Sequence, residues 1–315
     1  MTRVFTLIAF LFVFTPDFSE AAMKRTVTFT SAGQTLTGDL YLPDNYTAGT
    51  RLPGVVVTGA WTSVKEQMPG TYAAELADRG FAALAFDFRG WGASPDDIRY
   101  LEDPTRKTED IVAAINFMAT RDEVDPASLA GLGICASAGY MSDAALQSPQ
   151  LKALALVAPW LHDAAIVDAV YGGEEGVSAL IAAGRSADAA DEPVFIEAVS
   201  ATNEQSLMYG APYYTEADRG LIPEYDNQFN VASWEPWLKY DAIKTAHQLE
   251  KPTLLVHSEA AAIPQGAKRY AEIMGDAAET IWLDDVTQFD FYDQPAAVKT
   301  SADAVAKHFA SELGR

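Results

Sequence analysis

Hydrophobic and polar positions along the chain repeat first with the period of a strand. Residues 25–30 and 35–42 alternate polar and apolar side chains on either side of Ser31-Ala-Gly-Gln34, which predicts a β-hairpin. Continuous apolar runs then recur along the chain, and such runs are typical of strands that are buried on both faces. They predict strands at 54–58, 81–86, 128–132, 153–158, 253–257 and 279–283.

Helical periodicity separates most of these strands. It is seen at 70–79, 108–120, 136–147, 265–273 and 296–313. Strands that alternate with helices of this length predict the α/β fold class, with a mostly parallel central sheet flanked by helices.

One segment, residues 160–250, lacks a buried strand pattern. It carries weak helical patterns at 164–170 and 176–184, followed by aromatic stretches rich in proline. We interpret it as a lid inserted at the carboxyl ends of the strands, where open α/β sheets bind ligands. A peripheral subdomain or a dimer surface is the alternative, because aromatic residues also favour interfaces. A homo-oligomer is therefore left open.

The composition of the chain limits the kinds of molecule that it is expected to bind. Of the 315 residues 49% are hydrophobic, which is enough for a large core, and the formal net charge is -22. This acidity argues against nucleic acid or an anionic membrane as a partner, because phosphate groups are bound by basic surfaces. We expect a small-molecule substrate. The single cysteine excludes an intrachain disulfide bond.

The first residues have the pattern of a signal peptide. An apolar run at 4–14 is too short to span a bilayer, which takes roughly 20 residues, and Ser19-Glu-Ala21 fits a cleavage site. Residues 1–21 are therefore predicted to be removed from a periplasmic or secreted protein whose folded domain covers 22–315. The alternative is a cytoplasmic protein that starts at Met23.

Two segments carry the candidate chemistry. Asp87-Phe-Arg-Gly-Trp-Gly-Ala-Ser94 follows a buried strand, and residues 125–139 run from a strand through a small-residue turn into a helix. In this order, both segments resemble the α/β-hydrolase family, especially its dienelactone-hydrolase and acyl-hydrolase branches. The resemblance implies the α/β-hydrolase fold, with a nucleophile on the turn after the strand at 128–132.

Cys135 stands at that nucleophile position. Its neighbours two positions away, Gly133 and Ser137, are small, as a tight strand-to-helix turn requires. The amino end of the following helix is expected to favour a thiolate and lower the thiol pKa. The oxyanion hole is expected to use the backbone N–H of Ala136 and that of Ala60, with Trp61 as the alternate.

An alternative alignment of the motif puts Ser137 at the nucleophile position, because Cys135-Ala-Ser-Ala-Gly139 also has small residues two positions to either side of it. Asp125-Pro126 starts the strand and places its turn at Cys135, which favours the cysteine. A third reading is that neither residue reacts.

The rest of the family triad is not matched. The position that usually holds an aspartate is occupied by Ala261, and the position of the histidine base by Gln288, which cannot titrate. We expect Glu259 and Gln288 to position the substrate or second nucleophile. His162 and Glu66 are alternate candidates for the missing base.

These residues predict acyl chemistry, either hydrolysis or acyl transfer, on a small or medium ester, lactone or thioester. One alternative is a catalytically degenerate protein that binds a small ligand in the same pocket, and another is a lyase or isomerase on this scaffold. No cofactor is expected. The four histidines are scattered and there is no cysteine pair, so no metal site is predicted either.

Overall fold

The computed structural model of the chain describes residues 23–314. The predicted signal peptide lies outside the described residues and stays a prediction. Twelve strands and ten α-helices follow one another in the described part of the chain. The strands are β1 (Met23–Ser31), β2 (Gln34–Leu42), β3 (Leu52–Thr58), β4 (Ala82–Phe86), β5 (Val124–Ile134), β6 (Leu151–Val157), β7 (Phe195–Glu197), β8 (Val199–Ser200), β9 (Met208–Tyr209), β10 (Gln228–Asn230), β11 (Thr253–Ser258) and β12 (Ala278–Leu283). The helices are α1 (Met68–Asp78), α2 (Pro104–Ala119), α3 (Ser137–Gln147), α4 (Ala164–Val170), α5 (Gly173–Asp188), α6 (Pro212–Thr215), α7 (Trp234–Leu238), α8 (Pro264–Met274), α9 (Asp290–Asp293) and α10 (Pro295–Glu312).

Eight strands form the central sheet in the order β1-β2-β4-β3-β5-β6-β11-β12. The predicted hairpin is confirmed as the antiparallel pair β1 and β2, and β2 also runs antiparallel to β4. From β4 onward all neighbours are parallel. Helices α1 and α10 pack together on one side of the sheet, and α2 and α3 pack together on the other. This covering explains why the central strands are apolar throughout.

Strand β5 is longer than its apolar core predicts. It pairs with β3 from Val124 onward, but the register shifts so that Asp125 and Leu129 stand opposite the consecutive residues Pro53 and Gly54. The skipped residues include Pro126, which has no N–H to donate to a ladder, so the irregularity falls where pairing would fail. The pairing of β5 with β6 shifts register between Leu129 and Ala130, and from Ala130 β5 runs regularly to Ile134 at the carboxyl edge of the sheet.

The segment between β6 and β11 contains α4 to α7 and two small two-stranded sheets, β7 with β10 and β8 with β9. Hydrogen bonds tie it to the loops of the central sheet. Asn230 N–H donates to the Tyr100 carbonyl (2.9 Å), and Glu102 N–H donates to the Ser233 hydroxyl (2.8 Å). Among residues 23–314, no helix is both long enough and apolar enough to cross a bilayer.

Candidate active site

A strained turn connects β5 to α3. Cys135 lies between the two elements with φ +57°, in the left-handed region that a side chain rarely adopts. Such a conformation costs of order 1–3 kcal/mol and persists only where the surroundings hold it. Here the Cys135 N–H donates to Val157 O (3.1 Å), and its carbonyl accepts from the N–H groups of Ala138 (3.1 Å) and Trp160 (2.9 Å). Three backbone hydrogen bonds therefore fix the turn.

Close packing beneath the turn explains the small residues around it. A Cβ added at Gly133 would lie 2.8 Å from both the Ser137 carbonyl oxygen and the Ala138 Cα. The Ser137 side chain is fully buried, and its hydroxyl donates to the Ile134 carbonyl (3.0 Å). It does not line the cavity described next. The structure therefore gives no support to the alternative in which Ser137 is the attacking residue.

Cys135 opens into a cavity of ≈ 640 Å³. Most of the cavity wall is apolar or aromatic, and the segment between β6 and β11 supplies more than half of it. The lining residues that the structure describes include no carboxylate, amine, guanidinium or imidazole group. They are Ala60, Trp61, Cys135, Ala136, Trp160, Val170, Tyr171, Leu180, Ile196, Gln205, Ser206, Leu207, Met208, Tyr214, Trp234, Trp237, Ala262, Gln288, Phe289 and Tyr292.

An aromatic cluster joins the loop after β3 to the inserted segment. The Trp61 ring stacks on Trp237 with a centroid distance of 5.0 Å and meets Phe229 edge-on at 5.1 Å. The Trp237 indole N–H donates to the Tyr171 hydroxyl (2.8 Å). These contacts make one continuous wall from residues far apart in sequence, and the inserted segment lines the same cavity as Cys135. That the segment acts as a lid stays a prediction.

The Cys135 sulfur has three hydrogen-bonding neighbours, which are the Tyr292 hydroxyl and the backbone N–H groups of Ala136 and Trp61. Burial raises the pKa of the Cys135 thiol, and these three hydrogen bonds oppose the increase without cancelling it. The expectation of a lowered thiol pKa was therefore wrong in sign, because desolvation outweighs the amino end of α3. The resting group is a neutral thiol at pH 7.

The two backbone N–H groups at the sulfur come from different sides of the site. Ala136 is the predicted donor that follows the nucleophile position. On the β3 side, the N–H that reaches the sulfur belongs to Trp61, the alternate, while Ala60 is buried in the cavity wall. Trp61 is therefore the better placed of the two for the second oxyanion donor.

Gln288 stands in the loop after β12 and lines the cavity. Its amide is fully engaged, because Nε2 donates to the Ala158 carbonyl and to the Tyr292 hydroxyl, both at 2.9 Å, and Oε1 accepts from Ala262 N–H at 3.0 Å. Gln288 thus holds Tyr292, and Tyr292 contacts the sulfur. Sequence reasoning missed Tyr292, although its position four residues after Gln288 would place both on one side of a helical turn.

The structure does not bring the predicted carboxylates to the cavity. Glu259 is exposed and paired with Lys268, which lowers the pKa of its carboxyl. Glu66 pairs with Lys65, whose Nζ also lies 2.8 Å from Asp87 Oδ2. Neither carboxylate lines the cavity into which Cys135 opens, so the structure gives no support to either predicted role. Hydrophilic loop positions near a site cannot be assigned a direction from sequence alone.

The histidine candidate, His162, does not line the cavity either. His162 is buried, with Nδ1 accepting from the Trp160 indole N–H (3.0 Å) and Nε2 within 3.2 Å of the Trp237 carbonyl. Burial lowers the pKa of His162 to about 4. Its ring supports the aromatic wall from behind and does not line the cavity, so it cannot serve as the base. His257 on β11 is fully buried and does not line the cavity either.

The strand order, the strained residue after β5 and the insertion between β6 and β11 define the α/β-hydrolase fold. Comparisons with known proteins agree with this class. A family model described as serine aminopeptidase, S33, matches residues 65–186. The structure of the hypothetical protein PA2218 from Pseudomonas aeruginosa superposes with a TM-score of 0.80 at 24% identity, covering 97% of this chain and 100% of that one. The chain therefore has the α/β-hydrolase fold.

Two curated relatives extend the comparison to sequence. The uncharacterized protein YcjY of Escherichia coli (strain K12) is 28% identical over 310 residues, which is 92% of this chain and 100% of that protein. The acyltransferase drtE of Aspergillus calidoustus is 27% identical over 180 residues, 57% of this chain and 58% of that one. The narrower resemblance to the dienelactone-hydrolase branch stays a prediction.

Proposed function

We propose that this chain is an acyl-transfer or hydrolytic enzyme in which Cys135 attacks the carbonyl carbon of a thioester. The observation that carries the proposal is the position of the sulfur, on a strained turn, open to an apolar cavity and beside two backbone N–H groups. Strain of this kind concentrates at functional sites. The family match and the likeness to an enzyme named acyltransferase support the reaction class.

The first step forms a bond between the Cys135 sulfur and the acyl carbon. Electrons from the carbonyl π bond move to the oxygen, where the Trp61 and Ala136 N–H groups stabilise the negative charge. When the carbonyl re-forms, the bond to the leaving thiol breaks. The thiol proton of Cys135 ends on that leaving thiol, so an acyl-enzyme and a free thiol result.

Tyr292 handles the proton in this step. Its hydroxyl contacts the sulfur and is oriented by Gln288 Nε2 at 2.9 Å. Burial, together with the neighbouring Cys135, raises the pKa of Tyr292 well above its ordinary value, so the phenol is not a base by itself at pH 7. It can, however, accept the sulfur proton while giving its own to the leaving sulfur, which leaves its charge unchanged.

The absence of an imidazole among the described cavity residues selects the leaving group. A thiol has an ordinary pKa of about 8.5, so its anion departs readily and the weakly acidic Tyr292 hydroxyl suffices to protonate it. An alkoxide is far more basic and requires a general acid such as histidine. The neutral site is therefore suited to thioesters over alkyl esters.

The apolar wall of the cavity affects the second step, in which the acyl group leaves Cys135. Water is a far weaker acid than a thiol, and the described lining residues include no carboxylate or imidazole to deprotonate it, so we expect slow hydrolysis of the acyl-enzyme. An acceptor thiol or amine attacks the acyl carbon more readily. The product bond forms, the bond between the acyl carbon and the Cys135 sulfur breaks, and the proton of the acceptor passes to that sulfur. Acyl transfer is the reaction that this geometry favours.

The test compares the wild type with Cys135→Ala and Cys135→Ser on hexanoyl thioesters and on the matched hexanoyl alkyl ester. Mass spectrometry of the intact protein should show a hexanoyl adduct on the wild type with the thioester only, and the adduct should be absent from Cys135→Ala. A serine lacks the acidity of a thiol and should acylate at least about 100-fold more slowly. Full turnover by Cys135→Ala would overturn the assignment.

A ligand-binding protein without chemistry is the second candidate. The raised thiol pKa and the amide at position 288 favour it, because both reduce reactivity. An unreactive pocket would bind a hexanoyl thioester without forming an adduct, under conditions where free cysteine is acylated. That result would support binding and refute acyl transfer.

A further inference from the structure

A fully buried carboxylate, Glu102, lies behind the cavity wall just before α2. Its Oε1 accepts from the Tyr140 hydroxyl at 2.8 Å. Its Oε2 accepts from Lys107 Nζ at 2.7 Å and from the Thr62 backbone N–H at 3.3 Å. The carboxylate thus has partners on three separate parts of the chain, although it does not line the cavity.

Two of these partners adjoin the N–H groups at the Cys135 sulfur. Thr62 follows Trp61 and has φ +62°, a conformation that a β-branched residue adopts only when it is held. Its hydroxyl lies 2.9 Å from the Tyr225 hydroxyl, which gives it a second anchor. Tyr140 is on α3, in the turn that follows Ala136. One carboxylate therefore connects both sides of the candidate oxyanion hole.

The third partner balances the charge. The Lys107 ammonium is buried and lies 4.6 Å from the Phe88 ring centroid and 4.7 Å from that of Trp91. A buried ion pair of this kind adds little net stability, because desolvation offsets its Coulomb attraction. An apolar pair could take the place of Glu102 and Lys107 without loss of packing. We therefore interpret the buried ion pair as holding this part of the chain in one local geometry.

We propose that Glu102 is a positioning residue that sets the Trp61 and Ala136 N–H groups at the spacing the oxyanion requires. This inference rests on the proposed function of the same site. Glu102 acts through Thr62 on one side and through Tyr140 on the other, and it touches neither substrate nor sulfur. Its own N–H donates to Ser233 of the inserted segment, so the same residue also ties the lid to the hole.

The test uses two double variants that both remove the ion pair and so leave no buried charge unpaired. Glu102→Gln with Lys107→Met keeps one side-chain oxygen able to accept a hydrogen bond, whereas Glu102→Leu with Lys107→Met keeps none. Asp110→Asn is the control, because Asp110 is a buried carboxylate on α2, the helix that carries Lys107, and it pairs with Arg89 and does not line the cavity. Thermal unfolding identifies a temperature at which all variants are folded.

Loss of a correctly placed oxyanion donor costs about 100- to 1,000-fold in rate, so a displaced donor should cost about 10- to 100-fold. We expect the leucine variant to lose that much in the maximal rate of Cys135 acylation by a hexanoyl thioester, with less than about threefold change in KM. The glutamine variant should recover most of the rate. Equal rates in the two folded variants would overturn the proposal.

Hydrogen exchange separates this inference from the proposed function. The Thr62 N–H should exchange at least about tenfold faster in the leucine variant than in the glutamine variant, because its acceptor is gone. Asp110→Asn should leave it unchanged. If the wild type forms no adduct, the proposed function fails, but accelerated exchange would still show that Glu102 holds the loop. Unchanged exchange would refute the positioning role in either case.

Discussion

Replacing Tyr292 with phenylalanine removes one oxygen atom from the site and leaves the ring in place. Tyr292 is almost fully buried, and its hydroxyl contacts the Cys135 sulfur while accepting from Gln288 Nε2 at 2.9 Å. The hydroxyl stabilises the thiolate, since its hydrogen bond lowers the thiol pKa against the larger effect of burial. The thiol pKa should therefore increase further in Tyr292→Phe.

The size of the change in the thiol pKa follows from the free energy of a hydrogen bond to a charged group, which is about 1.5–3 kcal/mol. At roughly 1.4 kcal/mol per pKa unit, the inflection in a pH–rate profile should move up by about 1–2 pH units. Only the thiolate is nucleophilic, so below the inflection the alkylation rate at a fixed pH should fall by about 10- to 100-fold.

Alkylation of Cys135 by iodoacetamide, followed by mass spectrometry across pH 6–11, measures this profile directly because the chain has no other cysteine. Tyr171→Phe is the matched control. Tyr171 also lines the cavity, but its hydroxyl accepts from the Trp237 indole N–H. Coincident profiles for wild type and Tyr292→Phe, or an equal shift in Tyr171→Phe, would refute the role of the Tyr292 hydroxyl.

Two further predictions concern residues outside the cavity. Ser137→Ala removes a buried hydroxyl that donates to the Ile134 carbonyl, so the free energy of unfolding in urea should fall by about 1 kcal/mol. Acylation of Cys135 should stay within about twofold of wild type, and a large loss would revive Ser137 as the nucleophile. Burial lowers the pKa of His257 to about 4 from 6.5, so the neutral ring stabilises the fold above pH 6.5 and that stability is lost as the pH falls toward 4. His257→Phe should reduce this loss by up to ~3 kcal/mol at pH 4, and parallel stability curves for the two proteins would contradict it.

The sheet was predictable because its signals are local and redundant. Each central strand is a short apolar run next to a helical pattern, and boundaries deviate by only a few residues. The turn at Cys135 was predictable for a steric reason, since Gly133 leaves no room for a Cβ. Such constraints act between residues close in sequence, so periodicity and side-chain size were sufficient.

The surroundings of the sulfur were not predictable in the same way. Glu259 follows β11 and Tyr292 lies in the short helix α9 after β12, both at the carboxyl edge of the sheet, but Glu259 pairs with Lys268 at the surface and Tyr292 reaches Cys135. That choice depends on packing against distant segments. No sequence motif pointed to Glu102, because its partners Thr62 and Tyr140 lie 40 and 38 positions away in the chain. The sign of the thiol pKa likewise depends on burial, which the helix pattern does not reveal.

The cavity wall is built from two parts of the chain, the loops of the central sheet and the inserted segment. The Cys135 sulfur and its N–H partners sit on loops of the central sheet, whereas Leu180, Ile196, Met208 and Trp234 come from the inserted segment. Exchanging side chains in that segment would therefore reshape the cavity while the sulfur and the N–H groups kept their places, provided that Ser233 and Asn230 kept their attachments to the sheet loops.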